Sequence, residues 1–371
     1  MRILVVTDSP EVWGAERSLA DLAEAGPDEG IHYTVLAPGK SPVHAFLAER
    51  GIATLPINLP IHPALRRGGL QHAGFLDLVA EGFATVRSAV ALARVARRFD
   101  GVLSFSLWRN ADVLIGARLS RVQAWVDLHE TFTGRLGKLV NGALLSKFDA
   151  VVAPSRWMLK QTGVDLEKGY VVPRMIDVAA EGACAGSADR TKRSFTAGVF
   201  GQLQPHKGHS LVIEAALRAA KKQPVTVLFV GSGGDPSTRS AVERAVAEHP
   251  EIFHLRGAQG TEVLGLMEGC RAVINASEHE AFGRTMIEAA LSGADPIAVG
   301  EGGPAEIVSS LGFGSAIDRS VEALEALLVE IARCGEPLAS VADRQNILQE
   351  TFGRRTVGKA YSEVFKSGRI K

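Results

Sequence analysis

Short apolar runs rich in β-branched residues alternate along the chain with segments of helical periodicity. The runs occupy residues 2–7, 31–37, 101–105, 122–128, 149–153, 196–201, 225–231, 252–256, 271–275 and 295–298. Strands that alternate with helices form parallel sheets with helices on both faces. The pattern therefore predicts an α/β fold built from doubly wound sheets.

The pattern starts twice, which predicts two Rossmann-like domains. Residues 178–192 lack apolar periodicity and are rich in Ala, Gly, Ser and charge, as is typical of a linker, and FTAGVFG follows as a new first strand. We expect a first domain over residues 1–177 and a second over 193–351. Residues 352–371 have no strand after them and are predicted to form a helix that returns to the first domain.

Residues 74–98 are predicted to form an amphipathic helix. Its basic residues Arg87, Arg94, Arg97 and Arg98 stand among the apolar residues Phe83, Val86, Val90 and Leu92. The favoured interpretation is a helix that packs its apolar face on the core and exposes its charged face. A peripheral membrane contact is the alternative, because basic residues on such a helix attract anionic lipid.

Charge and composition narrow the possible partners. The 371 residues include 41 basic and 41 acidic side chains, so no bulk field attracts nucleic acid. A hydrophobic content of 46% with 22% charged residues is typical of a compact soluble protein. The three cysteines, Cys184, Cys270 and Cys334, have no paired spacing, which argues against a disulfide framework and a zinc site. Without a signal-peptide pattern or an apolar stretch of membrane-spanning length, we expect a cytoplasmic protein.

The segment EAFGRTMIE, from Glu280 to Glu288, follows the apolar strand RAVINAS and predicts a ligand site. A helix that starts after a strand offers free N–H groups and the positive end of its dipole to a pyrophosphate. Glu288, inside the helix, can accept hydrogen bonds from ribose hydroxyls, and Glu280 lies ahead of it. The first helical turn is predicted to comprise Phe282, Gly283, Arg284 and Thr285.

These two glutamates, followed by AALSGADPIAVGEGGPAEIV, resemble the donor site of glycosyltransferase family 4, which has the GT-B fold. The resemblance covers nearly the whole chain and implies two Rossmann-like domains that face a central cleft. It implies that Glu280 contacts the transferred sugar and Glu288 the ribose. The alternative is that both are ordinary helix-terminus and surface carboxylates.

The segment FGQLQPHKG, at the start of the second domain, resembles the phosphate-binding segment of the same family. The resemblance implies that Lys207 holds the donor diphosphate and helps catalysis by stabilising charge on the departing phosphate. Gln202 stands where the family usually has an arginine, and Arg284 is a hypothetical replacement for that charge. The alternative for Lys207 is a solvated turn lysine.

Two positions of the first domain extend the resemblance. Gly14, in WGAE, follows the strand RILVVTD at a place where the family often has Gly-Gly. His129 ends the strand AWVDLHE, where family members commonly carry a histidine that contacts the donor sugar. A tight turn and a structural histidine are the respective alternatives.

Other strand ends provide weaker candidates for the donor pocket. Arg256 is the one we assign to nucleotide-sugar binding. A plain turn is the alternative for Arg256 and for each of the other candidates, which are Ser232, Gly233, Gly257, Gly302 and Gly303.

No Asp-x-Asp or clustered His pattern indicates a metal, so we expect a metal-independent enzyme that needs no cofactor besides its nucleotide diphosphate sugar. The resemblance implies retention of anomeric configuration, with a UDP-sugar favoured and a GDP-sugar possible as donor. A nucleotide-sugar epimerase of the same fold and a non-catalytic nucleotide-sugar-binding protein remain alternatives.

The acceptor is expected to bind loops of the first domain at residues 9–16, 58–75 and 104–110. A small molecule, a glycan and a lipid-linked acceptor are all compatible with these loops. The abundance of Ala, Gly and Arg suggests a bacterial source, hence a role in cell-envelope glycan or natural-product biosynthesis.

Overall fold

In the computed structural model, contacts divide the chain into two compact units. The structure describes residues 1–9, 11–12, 14–62, 75–129, 141–164, 168–176, 178, 193–231, 233–258, 261–333 and 341–367. The first unit comprises the described residues of Met1–Ile176 and Arg354–Lys371, and the second those of Asp177–Gly353. Most of the predicted linker, with Cys184, lies outside the described residues, as do Cys334 and Ser232.

The first unit contains a seven-stranded parallel sheet in the order β3-β2-β1-β4-β5-β6-β7. The buried strand β1 pairs with β2 on one side and with β4 on the other. The strands are β1 (Arg2–Val6), β2 (His32–Ala37), β3 (Ala53–Pro56), β4 (Gly101–Ser104), β5 (Gln123–Asp127), β6 (Ala150–Ala153) and β7 (Gly169–Val171).

Helices connect these strands, as parallel pairing requires. They are α1 (Gly14–Ala25), α2 (Val43–Ala48), α3 (Phe75–Ala96), α4 (Asn110–Ser120) and α5 (Arg156–Thr162), with short 3-10 helices at Gly26–Glu29 and Leu107–Arg109. Ser155 caps α5 by accepting a hydrogen bond from the Met158 N–H.

The second unit repeats the architecture with a six-stranded parallel sheet in the order β10-β9-β8-β11-β12-β13. Its first strand in sequence, β8, again lies inside the sheet, between β9 and β11. The strands are β8 (Phe195–Phe200), β9 (Val227–Val230), β10 (Phe253–Arg256), β11 (Cys270–Asn275), β12 (Asp295–Val299) and β13 (Ser315–Ile317).

The helices of the second unit surround this sheet. They are α6 (His209–Ala220), α7 (Pro236–Glu248), α8 (Thr261–Glu268), α9 (Arg284–Leu291), α10 (Gly303–Leu311), α11 (Val321–Arg333) and α12 (Val341–Phe352), with a 3-10 helix at Pro205–Lys207. The core lies between helices and sheet and includes Val212 of α6, Phe229 of β9 and Leu324 of α11.

Each predicted apolar run contains a strand, but the sequence pattern does not predict β3, β7 and β13. These three strands lie at sheet edges and carry only half-buried or exposed residues. Edge strands need no continuous apolar run, because they are not covered on all sides. The α/β class with two doubly wound parallel sheets is confirmed.

The last helix, α13 (Arg354–Ser367), packs on the first unit. The Phe365 ring is fully buried, with its centroid 4.7 Å from that of Trp125 and 6.4 Å from that of Tyr33. Tyr361 lies beside it, one helical turn earlier. The chain therefore leaves the first unit after β7 and returns to complete its core.

The predicted orientation of the amphipathic helix α3 is wrong for three of its apolar residues. Phe83, Val86 and Val90 are exposed, by 65%, 56% and 39%. Leu92, the fourth predicted apolar residue, is buried, and Ala89 lies on the same buried face. This face packs closely on α4, since a Cβ added at Gly116 would lie 3.0 Å from both the Ala89 carbonyl oxygen and Leu92 Cβ. In the part of the chain that the structure describes, no helix has the length and apolarity needed to cross a membrane.

Candidate active site

A cavity of about 270 Å³ opens at the carboxyl ends of β8 and β11 in the second unit. The sheet extends from β8 through β9 in one direction and through β11 in the other, so the strand order reverses at this point. Ligands of open α/β sheets bind at such switch points. The cavity is lined by six residues predicted from the sequence: Gln202, Lys207, Glu280, Gly283, Arg284 and Thr285.

Gly283 lets α9 begin at the cavity. It has φ 90°, a conformation that favours glycine, and a Cβ there would lie 2.6 Å from Pro304 Cγ. The Gly303 N–H donates to the Glu280 carbonyl oxygen at 3.0 Å and ties the loop before α9 to the start of α10. The helix begins at Arg284, two residues later than predicted, because the left-handed backbone of Gly283 cannot belong to an α-helix.

Lys207 reaches the same cavity from the other strand end. It is the last residue of the 3-10 helix Pro205–Lys207, and Gly208 follows with φ 75°. A Cβ at Gly208 would clash with the Ala276 carbonyl oxygen, just after β11. The Glu278 N–H donates to the His206 carbonyl oxygen at 2.8 Å. This close packing of two loops fixes the position of Lys207.

Two ion pairs join the cations of the site to its carboxylates. Lys207 Nζ donates to Glu280 Oε2 at 2.5 Å, and Arg284 Nε donates to Glu288 Oε1 at 3.0 Å. The second pair links positions i and i+4 of α9. Both pairs are partly exposed, so a ligand can reach them.

Neutral histidines surround Lys207. Burial, together with the positive charge of Lys207, lowers the pKa of both His206 and His209 below the ordinary value of 6.5. His209 also lines the cavity. At neutral pH, therefore, neither imidazole adds positive charge to the site.

The first unit has a cavity of about 320 Å³ at the carboxyl ends of β1, β4 and β5. Its polar lining includes Asp8, Glu16, Asn110 and His129. The His129 ring packs on Phe105 with a centroid distance of 3.9 Å. Burial, assisted by the Arg174 guanidinium, lowers the pKa of His129 well below its usual range, so the imidazole is neutral.

A buried cluster supports the strand end that carries His129. Arg174 Nη1 donates to Asp127 Oδ2 at 2.9 Å, and the Tyr361 hydroxyl of α13 donates to the same oxygen at 2.6 Å. Arg174 Nη2 donates to the Leu128 carbonyl oxygen at 2.5 Å. The C-terminal helix is thus bonded to Asp127, two residues before His129.

A second buried network lies behind the first-unit cavity. Arg109 is 1% exposed and donates to Asp8 Oδ1 at 3.0 Å and to Asp112 Oδ2 at 2.9 Å. His62 bridges two carboxylates, with Nδ1 2.6 Å from Glu81 Oε2 and Nε2 3.0 Å from Asp112 Oδ2. Burial alone would lower the pKa of His62, but its hydrogen bonds to Asp112 and Glu81 raise it above the ordinary value.

Two family profiles match the sequence, one for each half. The profile described as "Glycosyl transferase 4-like domain" matches residues 14–174, and "Glycosyl transferases group 1" matches residues 187–345. The chain belongs to glycosyltransferase family 4. A comparison of the sequence with curated proteins gives no significant match.

Solved structures similar to this glycosyltransferase have the GT-B fold. HepE of Anabaena, solved in complex with UDP and glucose, has 19% identity and a TM-score of 0.75 over 99% of this chain and 100% of its own. A glycosyltransferase of Rickettsia africae has 17% identity and a TM-score of 0.75 over 100% and 99%. TarM of S. aureus, in a mutant complexed with UDP, has 11% identity and a TM-score of 0.71 over 98% and 99%. The TM-scores over nearly the whole chain establish the GT-B fold, and at identities this low they establish the fold alone.

The structure leaves some predicted donor-site residues of the glycosyltransferase outside the second-unit cavity. Glu288 is not in the lining but is bonded to Arg284, which is. Phe282 is buried against Phe352, with ring centroids 6.2 Å apart. Arg256 is exposed at the end of the edge strand β10.

Gly14 lies at the start of α1 in the first unit, and among the described residues outside its own helical turn none approaches its Cβ position within 4 Å. It is followed by Ala15 and Glu16, which line the first-unit cavity with His129.

Sequence reasoning misses three polar residues of the two cavities: Asp8, His209 and Asn275. Trp108 and Asn110 lie in the predicted acceptor loop 104–110, but neither is singled out by its own pattern. Asp8 and Asn275 stand at strand ends, so the rule used for His129 could have found them. Asn110 begins a helix and has no motif around it. Its place in the cavity depends on the packing of α4.

Proposed function

We propose that this glycosyltransferase moves a sugar from a nucleotide diphosphate donor, preferably a UDP-sugar, to an acceptor hydroxyl with retention of configuration and without a metal ion. The observation that carries the proposal is the second-unit cavity, where Lys207, Glu280 and the start of α9 meet. We assign the diphosphate to Lys207 and the helix start, the sugar to Glu280 and the ribose to Glu288.

The charges of the cavity suit a diphosphate. The first N–H groups of α9 lie at the positive end of its dipole, and Lys207 adds a full positive charge. When the sugar leaves, negative charge develops on the β-phosphate, and these groups stabilise it. A divalent cation does the same work in other enzymes. The protein groups thus support a metal-independent reaction.

Donor binding exchanges partners within the site. A phosphate oxygen takes a hydrogen bond from Lys207, which releases Glu280 Oε2 from the 2.5 Å contact. Glu280 can then accept a hydrogen bond from a sugar hydroxyl. In the same way a ribose hydroxyl donates to Glu288 beside Arg284. Each carboxylate therefore has a partner before and after binding, which limits the cost of an unpaired charge.

The transfer step exchanges one bond for another at the anomeric carbon. Its bond to the β-phosphate oxygen breaks as the acceptor oxygen bonds on the same face, and the acceptor proton passes to the departing phosphate. His129, which is neutral, keeps the sugar-contacting role that the resemblance implies. Retention is tested by the anomeric configuration of the product, read from the NMR coupling of its anomeric proton.

The choice of UDP rests on family frequency and on the complexes of similar proteins. HepE has been solved with UDP-glucose as well as with UDP. A GDP-sugar is the second possibility for this chain. The reaction is assigned to the bacterial cytoplasm, in cell-envelope glycan or natural-product biosynthesis, and fractionation of the source cells tests the location.

The deciding experiment measures nucleotide and sugar release from a panel of labelled UDP- and GDP-sugars, with and without a mixed glycoside acceptor pool and with EDTA. We expect acceptor-dependent UDP release that EDTA does not change. Conversion of the donor sugar without acceptor would indicate an epimerase. Donor binding without any turnover would indicate a binding protein. Inhibition by EDTA that Mg²⁺ reverses would contradict metal independence.

The Lys207→Met variant tests the role of the ammonium group. We expect kcat to fall about 100-fold, because one fixed donor to the developing charge is lost. Lys222→Met is the matched control: Lys222 pairs with Glu325 at 2.7 Å, is 60% exposed and does not line the cavity. A Lys207→Met enzyme with the kcat of the wild type would contradict the assigned role.

A further inference from the structure

Helix α3 exposes a continuous line of large apolar side chains on a different side from its buried face. We call these residues the α3 stripe: Leu76, Val79, Phe83, Val86 and Val90. The buried face, with Ser88 and Ala89, packs on α4. Single exposed apolar residues are common at protein surfaces, but a continuous apolar line marks a site of interaction.

The spacing of the α3 stripe indicates what kind of partner covers it. Its residues stand at positions 76, 79, 83, 86 and 90, at alternating intervals of three and four residues. This is the pattern of the narrow apolar seam along which two helices pack. A helix that lies in a membrane interface instead has its cations on the side opposite its apolar face. In α3 the exposed Arg87 directly borders the stripe, and Arg94 and Arg97 continue its line. The stripe therefore fits a second helix.

The charges of α3 decide the direction of this second helix. Arg94 lies in the last turn, Arg97 follows directly after the helix, and both are exposed. A parallel copy of α3 would bring these arginines next to their own copies, where like charges repel. An antiparallel copy places the two basic ends roughly 30 Å apart. The charge distribution thus favours an antiparallel pair.

The sizes of the side chains in the α3 stripe suit the same arrangement. In one antiparallel register Phe83 faces the partner's Val86, and the same register places Val79 opposite the partner's Val90. Each large ring then meets a smaller side chain, an alternation that lets facing layers interdigitate. A parallel pair would place the two Phe83 rings against each other. The stripe is therefore complementary to its own antiparallel copy.

We propose that a second copy of this chain docks on the α3 stripe, so that the protein forms a two-fold symmetric dimer through an antiparallel pair of α3 helices. A two-fold axis makes both copies use the same surface, as this self-complementary stripe allows. The dimer goes beyond the proposed function and does not depend on it.

The length of the stripe limits the strength of the dimer. From Leu76 to Val90 it runs about 21 Å along the helix, so the contact is smaller than a standard interface of about 800 Å² per partner. We expect a dissociation constant in the micromolar range, about 10 µM. Well below this concentration the protein is a monomer, and substitutions in the stripe should leave the free energy of unfolding of the monomer nearly unchanged.

Sedimentation velocity of the full-length protein tests the dimer, from about tenfold below to about tenfold above the expected dissociation constant. Val86→Asp should weaken dimerisation at least about tenfold, because it places an unpaired carboxylate in the seam. The matched control is Val171→Asp: Val171 is 40% exposed in the edge strand β7, outside α3, and its variant should dimerise like the wild type. Both variants should keep the UDP affinity of the wild type.

Oxidative cross-linking tests the direction of the pair. The double variant Val79→Cys/Val90→Cys should give a covalent dimer. Val79→Cys alone should not, because an antiparallel pair holds the two copies of position 79 about 16 Å apart, beyond the reach of a disulfide. The wild type is the control for the native cysteines. Cross-linking by Val79→Cys alone would show a parallel pair and contradict the proposed arrangement.

Three results would overturn the dimer. They are a wild type that stays monomeric at the highest concentration, a Val86→Asp variant that dimerises as strongly as the wild type, and a monomeric wild type whose binding to phosphatidylglycerol vesicles is lost in Val86→Asp. The last result would assign the stripe to a lipid surface. UDP release is measured on the same samples. A dimer without turnover of any nucleotide sugar would overturn the proposed function but leave the interface standing.

Discussion

At the residue scale, the charged side chains of the second-unit cavity form ion pairs with one another. Lys207 contacts Glu280, and Arg284 contacts Glu288, each at hydrogen-bond distance. The residues of the first pair stand 73 positions apart, so their pairing depends on how β8 and β11 align. The sequence indicates which charged residues belong to the site, but only packing decides which carboxylate neutralises which cation.

Arg284 is expected to supply the positive charge that Gln202 lacks. Both residues line the same cavity. Arg284→Ala should raise the Kd for UDP about tenfold, because a charged hydrogen bond to the diphosphate is lost. Titration calorimetry with UDP measures this effect.

The matched control for Arg284 is Arg239, which forms an i,i+4 pair with Glu243 at 3.0 Å on the exposed face of α7. Arg239→Ala should leave UDP affinity and turnover unchanged. If Arg284→Ala bound UDP as this control does, the hypothesis that Arg284 replaces the charge missing at Gln202 would be wrong.

At the element scale, tight turns position the site. Gly208 separates the 3-10 helix that carries Lys207 from α6, and its backbone touches the end of β11. Gly283 similarly precedes α9. Both have positive φ, 75° and 90°. The approach of separate loops at these two glycines, rather than any one helix, brings Lys207 and Arg284 to one cavity.

Gly208→Ala should cost more stability than a left-handed backbone alone explains. The control Gly312→Ala has a similar φ of 72° but nothing within 4 Å of its Cβ position, so it should lose only about 1–2 kcal/mol. Gly208→Ala adds a clash with the Ala276 carbonyl oxygen and should displace Lys207. Urea unfolding and UDP titration of both variants check this. Equal losses of unfolding free energy in the two variants, with unchanged UDP affinity in Gly208→Ala, would contradict the prediction.

His62 joins three elements of the first unit, because it lies after β3 and bonds to Glu81 of α3 and Asp112 of α4. Its hydrogen bonds to Asp112 and Glu81 raise its pKa in the folded state above the ordinary value of 6.5, despite burial and the nearby Arg109. The contribution of His62 to the free energy of unfolding is therefore complete below about pH 6.5. It is lost as pH rises through the pKa of His62 in the folded state.

Urea unfolding gives the free energy of unfolding of wild type and of His62→Gln at several pH values between 6 and 9. This range starts near the ordinary histidine pKa of about 6.5. The difference between the two free energies measures the contribution of His62. The difference should shrink as pH rises. The exposed His32 provides a control, because His32→Gln should give no such trend. A difference that stays constant with pH would show that His62 acts through packing alone.

At the scale of the whole molecule, the chain returns from the second unit to the first. Phe365 of α13 is fully buried against Trp125, and Tyr361 bonds to Asp127. Residues near the C-terminus therefore contribute to the core that supports the end of β5. The first unit is complete only when both parts of the sequence are present.

Phe365→Ala should reduce the free energy of unfolding of the first unit by about 3–5 kcal/mol, as expected for a large buried ring. Phe83→Ala, which removes a ring that is 65% exposed, should change it by no more than about 0.5 kcal/mol. Thermal unfolding is measured with and without UDP. UDP should shift only the unfolding transition of the second unit, so the transition that does not shift belongs to the first unit. Equal effects of the two variants would show that α13 does not carry the first-unit core.

The sequence by itself determined the α/β class, the central strands and the family, because apolar runs, helical periodicity and the EAFGRTMIE segment are local patterns. It also supplied six lining residues of the second-unit cavity, since strand ends and helix starts can be found one at a time. Tertiary structure alone decided the ion pairs, the exposed apolar side of α3, the edge strands and the place of Asn110. These depend on which distant segments meet, and that is set by the packing of the whole unit rather than by any local pattern.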